Sequence, residues 1–100
     1  MTVMPLTNRT IWKLALRATD MQEIEVPAGT DFLCAREQFE RICVWFRCDP
    51  RKSIEKRTIA IVGTGNAAPG DDGLYLGTAS LSGGQLMFHV FEIVTKESAA

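Results

Sequence analysis

Two stretches near the middle of the chain carry the residue types best suited to binding a small anion. A glycine-rich segment follows the apolar run 57–62, and its glycines allow positive φ and a close approach of another molecule to the backbone. Threonine and asparagine in the same segment offer hydrogen bonds, and two basic residues stand at the start of the run. The pattern predicts a site for a small anionic, nucleotide-like ligand, formed by Lys56, Arg57, Gly63, Thr64, Gly65 and Asn66.

The common nucleotide-binding fingerprints are absent from this segment. A dinucleotide site needs G-x-G-x-x-G at the start of a helix, whereas here the third glycine is Gly70, behind Pro69, and strand residues follow. A P-loop needs Gly-Lys-Ser/Thr, which the segment lacks, and without a helix N-terminus the helix dipole is missing too. The competing interpretation is a bulge and turn between two strands. Both interpretations stay open at this point.

The single histidine, His89, is the other candidate for chemistry. A catalytic histidine acts together with a nucleophile and an orienting acid. Glu92 lies three positions away, so on a strand it points to the opposite face and cannot orient the ring. A small hydrolase that uses His89 is the weakest functional hypothesis, and a half-buried, hydrogen-bonded histidine is the structural alternative. We expect no catalytic residues and no enzyme activity.

The acids and thiols of the chain do not form a recognisable metal site. Asp71 and Asp72 are adjacent, but no D-x-D-x-D-G calcium loop surrounds them, so a solvated turn is favoured. An odd number of cysteines makes a poor disulfide framework, and one histidine gives no zinc pattern. We therefore expect no metal and no cofactor, and three reduced thiols at Cys34, Cys43 and Cys48.

Length and composition limit the classes of function that the chain can have. One hundred residues form one domain with one core, and the formal net charge is −1. A net charge this close to zero gives no bulk electrostatic attraction to nucleic acid or to an anionic membrane, so neither is expected as a partner. No apolar run approaches the ~20 residues that span a bilayer, and the N-terminus does not resemble a signal peptide. The sequence thus predicts a cytoplasmic protein.

Hydrophobic periodicity of two runs along most of the chain and predicts strands. Seven segments alternate in polarity or are rich in β-branched and aromatic residues, and turn residues separate them. We predict an all-β domain, either a small antiparallel β-sandwich or a partly open barrel. The predicted strands are 10–18, 23–27, 31–37, 42–48, 57–62, 74–81 and 85–94.

One segment is ambiguous between strand and helix. Good helix formers lie between two apolar runs there, so a short helix within 33–41 is the alternative to a hairpin.

The sequence divides into three parts. We predict an N-terminal extension over 1–9, a single β domain over 10–94 and a polar tail over 95–100.

The last predicted strand is apolar on both of its faces. One face carries Met87, His89, Phe91 and Ile93, and a sandwich with one core has no place to bury it. Residues 1–6 are one candidate cover for this face. A subunit interface is favoured, because an uncovered apolar stripe on a small domain usually marks one, and we expect a homo-oligomer, a dimer or higher.

Several stretches together resemble a family of short proteins encoded by tailed phages and prophages. The resemblance covers residues 10–93, and its most specific parts are IWK at 11–13, GTGN at 63–66 and FHVFE at 88–92. It implies expression in the cytoplasm of a bacterial host. It supplies no activity, since the family is a domain of unknown function.

The resemblance and the absence of a catalytic set lead to one main hypothesis. The protein is expected to be a non-enzymatic phage accessory protein and an anti-defence candidate. Its partner would be a host defence protein, or a small anionic signal that it sequesters. The alternative is a decoration or structural accessory protein of the virion.

Overall fold

A computed structural model describes residues 8–94, which form seven strands and one 3₁₀ turn at Ser82–Gly84. Each predicted strand is present, and its ends differ from the prediction by no more than three residues. Residues 1–7, including the segment considered as a cover, and the tail 95–100 lie outside the described residues. The strands are β1 (Thr10–Ala15), β2 (Met21–Pro27), β3 (Asp31–Gln38), β4 (Arg41–Cys48), β5 (Ile54–Gly63), β6 (Gly73–Leu81) and β7 (Leu86–Ile93).

The strands form two antiparallel sheets. A three-stranded sheet has the order β1-β4-β3, and a four-stranded sheet has the order β2-β5-β7-β6. β1 and β2 are consecutive in the chain but belong to different sheets, because β1 pairs with β4 and β2 pairs with β5. Both sheets are open, so the all-β prediction is confirmed as two sheets and not as a closed barrel.

The two sheets share one core, to which each strand contributes every second residue. In β4, for example, Val44 and Phe46 are buried in this core, while Trp45 between them points away from it. We call the sides that meet in the core the inner faces and the opposite sides the outer faces. The buried core residues are Leu16, Ile24, Val26, Ala35, Ile42, Val44, Phe46, Cys48, Ile59, Ile61, Ala79 and Val90.

The ambiguous segment 33–41 is a hairpin, and the alternative helix does not form. β3 continues to Gln38, and a two-residue turn leads into β4. Phe39 and Glu40 both have positive φ, 53° and 61°, as a tight hairpin turn of the mirror-image type requires. Side-chain hydrogen bonds hold this turn, because the Glu37 carboxylate accepts from the Glu40 N–H at 2.8 Å.

The inner faces come closest where β3 meets β6. Each of these strands contains a β-bulge, between Phe32 and Cys34 in β3 and between Tyr75 and Gly77 in β6. Bulges increase the local twist and bend a strand, which here brings two edge strands together. A Cβ atom at Gly77 would lie 2.1 Å from the oxygen of Ala35, so the two backbones are in direct contact.

An ion pair closes one end of the core. Arg57 points inward from β5, and its Nε donates to the Glu92 carboxylate of β7 at 2.5 Å. The same guanidinium donates to Glu55 and to the Thr30 oxygen, and it lies 4.9 Å from the centre of the Phe32 ring. The hydrogen bond that Arg57 donates to the Glu92 carboxylate raises the pKa of Arg57 and keeps it charged. The ion pair therefore fastens β5 and β7 to the start of β3.

Replacing Gly77 with alanine tests the close approach of β3 and β6. The added methyl group would overlap the Ala35 oxygen, and backbone atoms cannot move away cheaply. We expect Gly77→Ala to lower the free energy of unfolding by about 3 kcal/mol or more, measured by urea denaturation. Gly70→Ala is the matched control, because its nearest contact would be 3.9 Å away, and it should change stability by less than about 0.5 kcal/mol. Equal stability of both variants would contradict the observed contact.

Candidate functional site

The connection between β5 and β6 crosses the four-stranded sheet. Both strands pair antiparallel with β7, which lies between them, so they run in the same direction and the chain must return along β7. At one end the Thr64 N–H donates to the Met87 oxygen at 3.3 Å. At the other end the Val94 N–H donates to the Asp72 oxygen at 2.8 Å. We call residues 64–72 the crossover loop.

The GTGN segment is the tight turn that begins the crossover loop. The Asn66 N–H donates to the Gly63 oxygen at 3.1 Å, and Gly65 has φ +97°, which strongly favours glycine. A Cβ atom at Gly63 would lie 3.2 Å from the side-chain amide nitrogen of Asn66 and 3.8 Å from the Phe88 ring. The local backbone geometry thus accounts for Gly65 without a ligand, whereas a side chain at residue 63 would require only a small shift of the Asn66 side chain.

A row of polar side chains joins the crossover loop to β7 and β6. The Thr64 hydroxyl lies 2.8 Å from Nε2 of His89, and the Thr78 hydroxyl lies 3.0 Å from Nδ1 of the same ring. The Tyr75 hydroxyl extends the row by hydrogen bonding to Thr78. Both ring nitrogens of His89 therefore contact hydroxyl groups, and no carboxylate within residues 8–94 hydrogen bonds to the imidazole. Glu92 lies on the inner face, as the strand periodicity predicts.

A groove of about 620 Å³ lies between the crossover loop and the outer face of β5. Its floor is apolar, its wall is formed by residues 66–69 of the crossover loop, and two exposed aspartates line it. Volumes of this size are typical of sites that take a small molecule or a few side chains of a partner. The apolar side chains are Met21, Ala60, Val62 and Ile93, and the aspartates are Asp20 and Asp72. We call this site the crossover groove.

The structure does not bring the six predicted anion-site residues together. Lys56 and Arg57 lie near the start of β5 and Gly63 at its end, which are about 20 Å apart at the rise of a strand. Lys56 is exposed on the outer face opposite Glu25, whereas Arg57 points inward and already contacts two carboxylates. The four residues of the GTGN turn are neighbours in space, and both basic residues lie apart from them.

The predicted interface residues do share one face. Met87, His89, Phe91 and Ile93 alternate with inward residues of β7 and lie on its outer face. Met87 is exposed, and the other three are half-buried. Tyr75 of β6 lies beside them, with its ring centre 5.6 Å from that of Phe91 in an edge-to-face arrangement.

The sequence interpretation missed most of the crossover groove. Asp20 and Met21 end the β1–β2 connection, far in sequence from the crossover loop, and only the β2–β5 pairing brings the two together. Pro69 packs against the start of β6, where a Cβ atom at Gly73 would lie 2.6 Å from the proline ring. The sequence offers no local signal that these residues lie together. The one indication is the length of the 64–72 connection, which is longer than most turns between strands and is typical of a loop that packs over a neighbouring surface.

Other chemistry is sparse in the described part of the chain. Within residues 8–94 no three histidine, cysteine or acidic side chains form a cluster that could hold a metal ion. Cys34 is half-buried, Cys43 and Cys48 are buried, and all three are free thiols. Burial raises the pKa of Cys48, which keeps its sulfur protonated. None of the helices described is long and apolar enough to cross a bilayer.

The chain belongs to a family of uncharacterised domains. The family model described as Domain of unknown function (DUF7352) matches residues 7–100, nearly the whole chain. No curated protein and no solved structure matches the chain. The function must therefore be argued from the site itself.

The hydrogen bond between Thr64 and His89 can be tested by removing the hydroxyl group. We expect Thr64→Val to lower the free energy of unfolding by about 1 kcal/mol and to change the NMR chemical shifts of the His89 ring. Thr58→Val is the matched control, since Thr58 lies on β5, which ends just before Thr64, and makes no side-chain hydrogen bond among the described residues. If both variants leave the His89 ring signals unchanged, the hydrogen bond does not exist in solution.

Proposed function

We propose that this protein is a non-enzymatic binding module that takes a segment of a partner protein in the crossover groove. The observation that carries the proposal is the chemistry of that groove, with an apolar floor and two exposed aspartates beside it. Such a groove suits apolar side chains that are followed or preceded by a lysine or arginine. The row of hydroxyl groups around His89 supports a binding function over a hydrolytic one, because both ring nitrogens contact hydroxyl groups and none of the acids in the described part of the chain orients the imidazole.

The biological setting of the proposal comes from the resemblance to phage and prophage proteins. A phage accessory protein that acts in the host cytoplasm would bind a host protein, and a defence protein is the partner we propose. Sequestration of an anionic signal has less support. Asp20 and Asp72 would repel an anion from the crossover groove, and Arg57 is already paired with Glu92.

Affinity capture with matched surface variants tests the crossover groove. Met21 in the groove is 57% exposed, and Ile54, which does not line the groove, is 60% exposed, so glutamate should be tolerated at either position. We expect wild-type protein and Ile54→Glu to retain the same bacterial protein from a host lysate. Met21→Glu should retain at least tenfold less of it, because a carboxylate on the apolar floor would be desolvated by the partner.

Two results of this experiment would contradict the proposal. Equal retention by Met21→Glu and Ile54→Glu would place the partner on another surface. Release of a nucleotide-like anion on denaturation, with no protein partner, would favour the sequestration hypothesis instead.

The two aspartates of the crossover groove can be tested separately. Asp20→Asn and Asp72→Asn should each retain less of the partner, most clearly at low salt, if a basic residue of the partner enters the groove.

A second proposal concerns self-association, and it rests on the apolar patch beside the crossover loop. Tyr75 is 60% exposed and its ring lies against the half-buried Phe91, and Met87, which is 40% exposed, lies further along the same outer face of β7. Exposed aromatic and methionine side chains in one patch are typical of protein interfaces. We propose that this patch joins two copies of the chain in a homodimer.

Light scattering after gel filtration measures the molar mass of the protein in solution and so shows whether the patch joins two chains. We expect a mass above the 11.1 kDa of one chain at micromolar concentration. Tyr75→Glu should give monomers, because a buried, unpaired carboxylate costs several kcal/mol at an interface. Leu33→Glu on the other sheet is the control and should not change the mass. A wild-type protein that is monomeric would refute the dimer.

A further inference from the structure

Basic side chains gather on the outer face of the three-stranded sheet, away from the crossover groove. The inward residues of β4 lie in the core, so the residues between them, among them Trp45, point outward. The register places residues of β1 and β3 beside them on the same face. We call this surface the basic face, and its outward side chains include Ile11, Lys13, Arg36, Arg41, Trp45 and Arg47.

The charges of the two outer faces are opposite. On the outer face of the four-stranded sheet, Glu23 and Glu25 of β2 are exposed and Asp20 precedes them, so these acids outnumber the one lysine beside them, Lys56. The formal net charge of −1 is therefore a balance between two unlike surfaces and not a uniform property of the molecule. A local positive surface attracts anions even when the whole protein is nearly neutral.

Two of the basic groups are not neutralised by the protein. Arg36 and Arg41 are exposed, and they form no ion pair among the described residues. Among residues 8–94, Lys13 donates a hydrogen bond to the neutral amide of Gln38 and forms no ion pair. Arg47 shares the Asp31 carboxylate with another arginine at 3.1 Å. The basic face thus retains positive charge for a ligand.

An aromatic ring lies in the middle of these charges. Trp45 stands on the central strand, paired with Lys13 on one side and with Cys34 on the other. A shallow depression of about 550 Å³ lies beside Trp45 and is also lined by Ile11 and Leu33. One carboxylate, Glu37, lines the depression as well. The surface therefore combines a half-buried indole ring with a surround of basic groups.

The size and chemistry of the basic face favour one class of ligand. Three strands spaced about 5 Å apart and about 20 Å long present roughly 300 Å², well below the ~800 Å² that a folded partner buries on each side. Single-stranded nucleic acid binds to small surfaces of this kind, because bases stack on aromatic rings while phosphates contact basic groups. We propose that the basic face binds single-stranded nucleic acid, with a base on Trp45 and phosphates on Lys13, Arg36 and Arg41.

Fluorescence anisotropy of a labelled oligodeoxythymidylate of about 15 nucleotides measures this binding directly. Arg36→Glu/Arg41→Glu should weaken binding at least tenfold. Lys52→Glu/Lys56→Glu is the matched control, with the same change of net charge at exposed positions off the basic face, and it should weaken binding less than threefold. The logarithm of the affinity should fall with the logarithm of the salt concentration with a slope of about −2, as expected for three phosphate contacts.

The fluorescence of Trp45 reports the stacking itself. The chain has two tryptophans, so Trp12→Phe leaves Trp45 as the sole emitter, and the oligonucleotide should quench its emission at saturation. If the two double variants lose the same affinity for the oligonucleotide, the binding depends on net charge alone, and the proposal is overturned. The absence of quenching would also overturn it, as would a poly-glutamate peptide of the same length that binds as tightly as the oligonucleotide. No detectable binding at low salt would overturn it as well.

Discussion

The contact between the backbones of Gly77 and Ala35 determines how the rest of the molecule is arranged. It places β6 at the edge of the four-stranded sheet that meets β3. β7 lies between β5 and β6, so the chain that leaves β5 must cross over β7 before β6 can begin. The crossover loop, and with it the crossover groove, therefore follows from a requirement of packing, since no side chain fits at Gly77 where β6 meets β3.

The interior and the outer faces have separate tasks. Arg57 and Glu92 satisfy each other inside the sandwich, where an unpaired charge would be costly, and their ion pair holds β5 and β7 against the start of β3. The outer faces carry the two surfaces that we propose for binding, one acidic with an apolar groove and one basic with a central tryptophan. A sandwich of this size has only one core, so apolar groups on both outer faces are better explained by partners than by stability.

Local patterns in the sequence predicted the elements well but their assembly poorly. Alternation over 42–48 identified β4 and its inward residues, and the aromatic and β-branched residues there favoured the hairpin over a helix. The pairing of β2 with β5, which joins Met21 to the crossover loop, depends on contacts distant in sequence and leaves no local signal. The predicted anion site combined residues that lie far apart along one strand, because Arg57 and Gly63 are six positions apart on β5, about 20 Å at the rise of a strand.

Binding of a partner protein in the crossover groove is the central claim, and site-specific photo-crosslinking tests it most directly. Ala67 is exposed in the wall of the groove, so benzoylphenylalanine can replace it, and Ser53 in the β4–β5 connection provides a site outside the groove. On irradiation in host cells, the account predicts one dominant adduct between the Ala67 position and a bacterial protein, and none from the Ser53 position. Adducts to the same proteins at both positions, or no adduct at Ala67, would contradict the account.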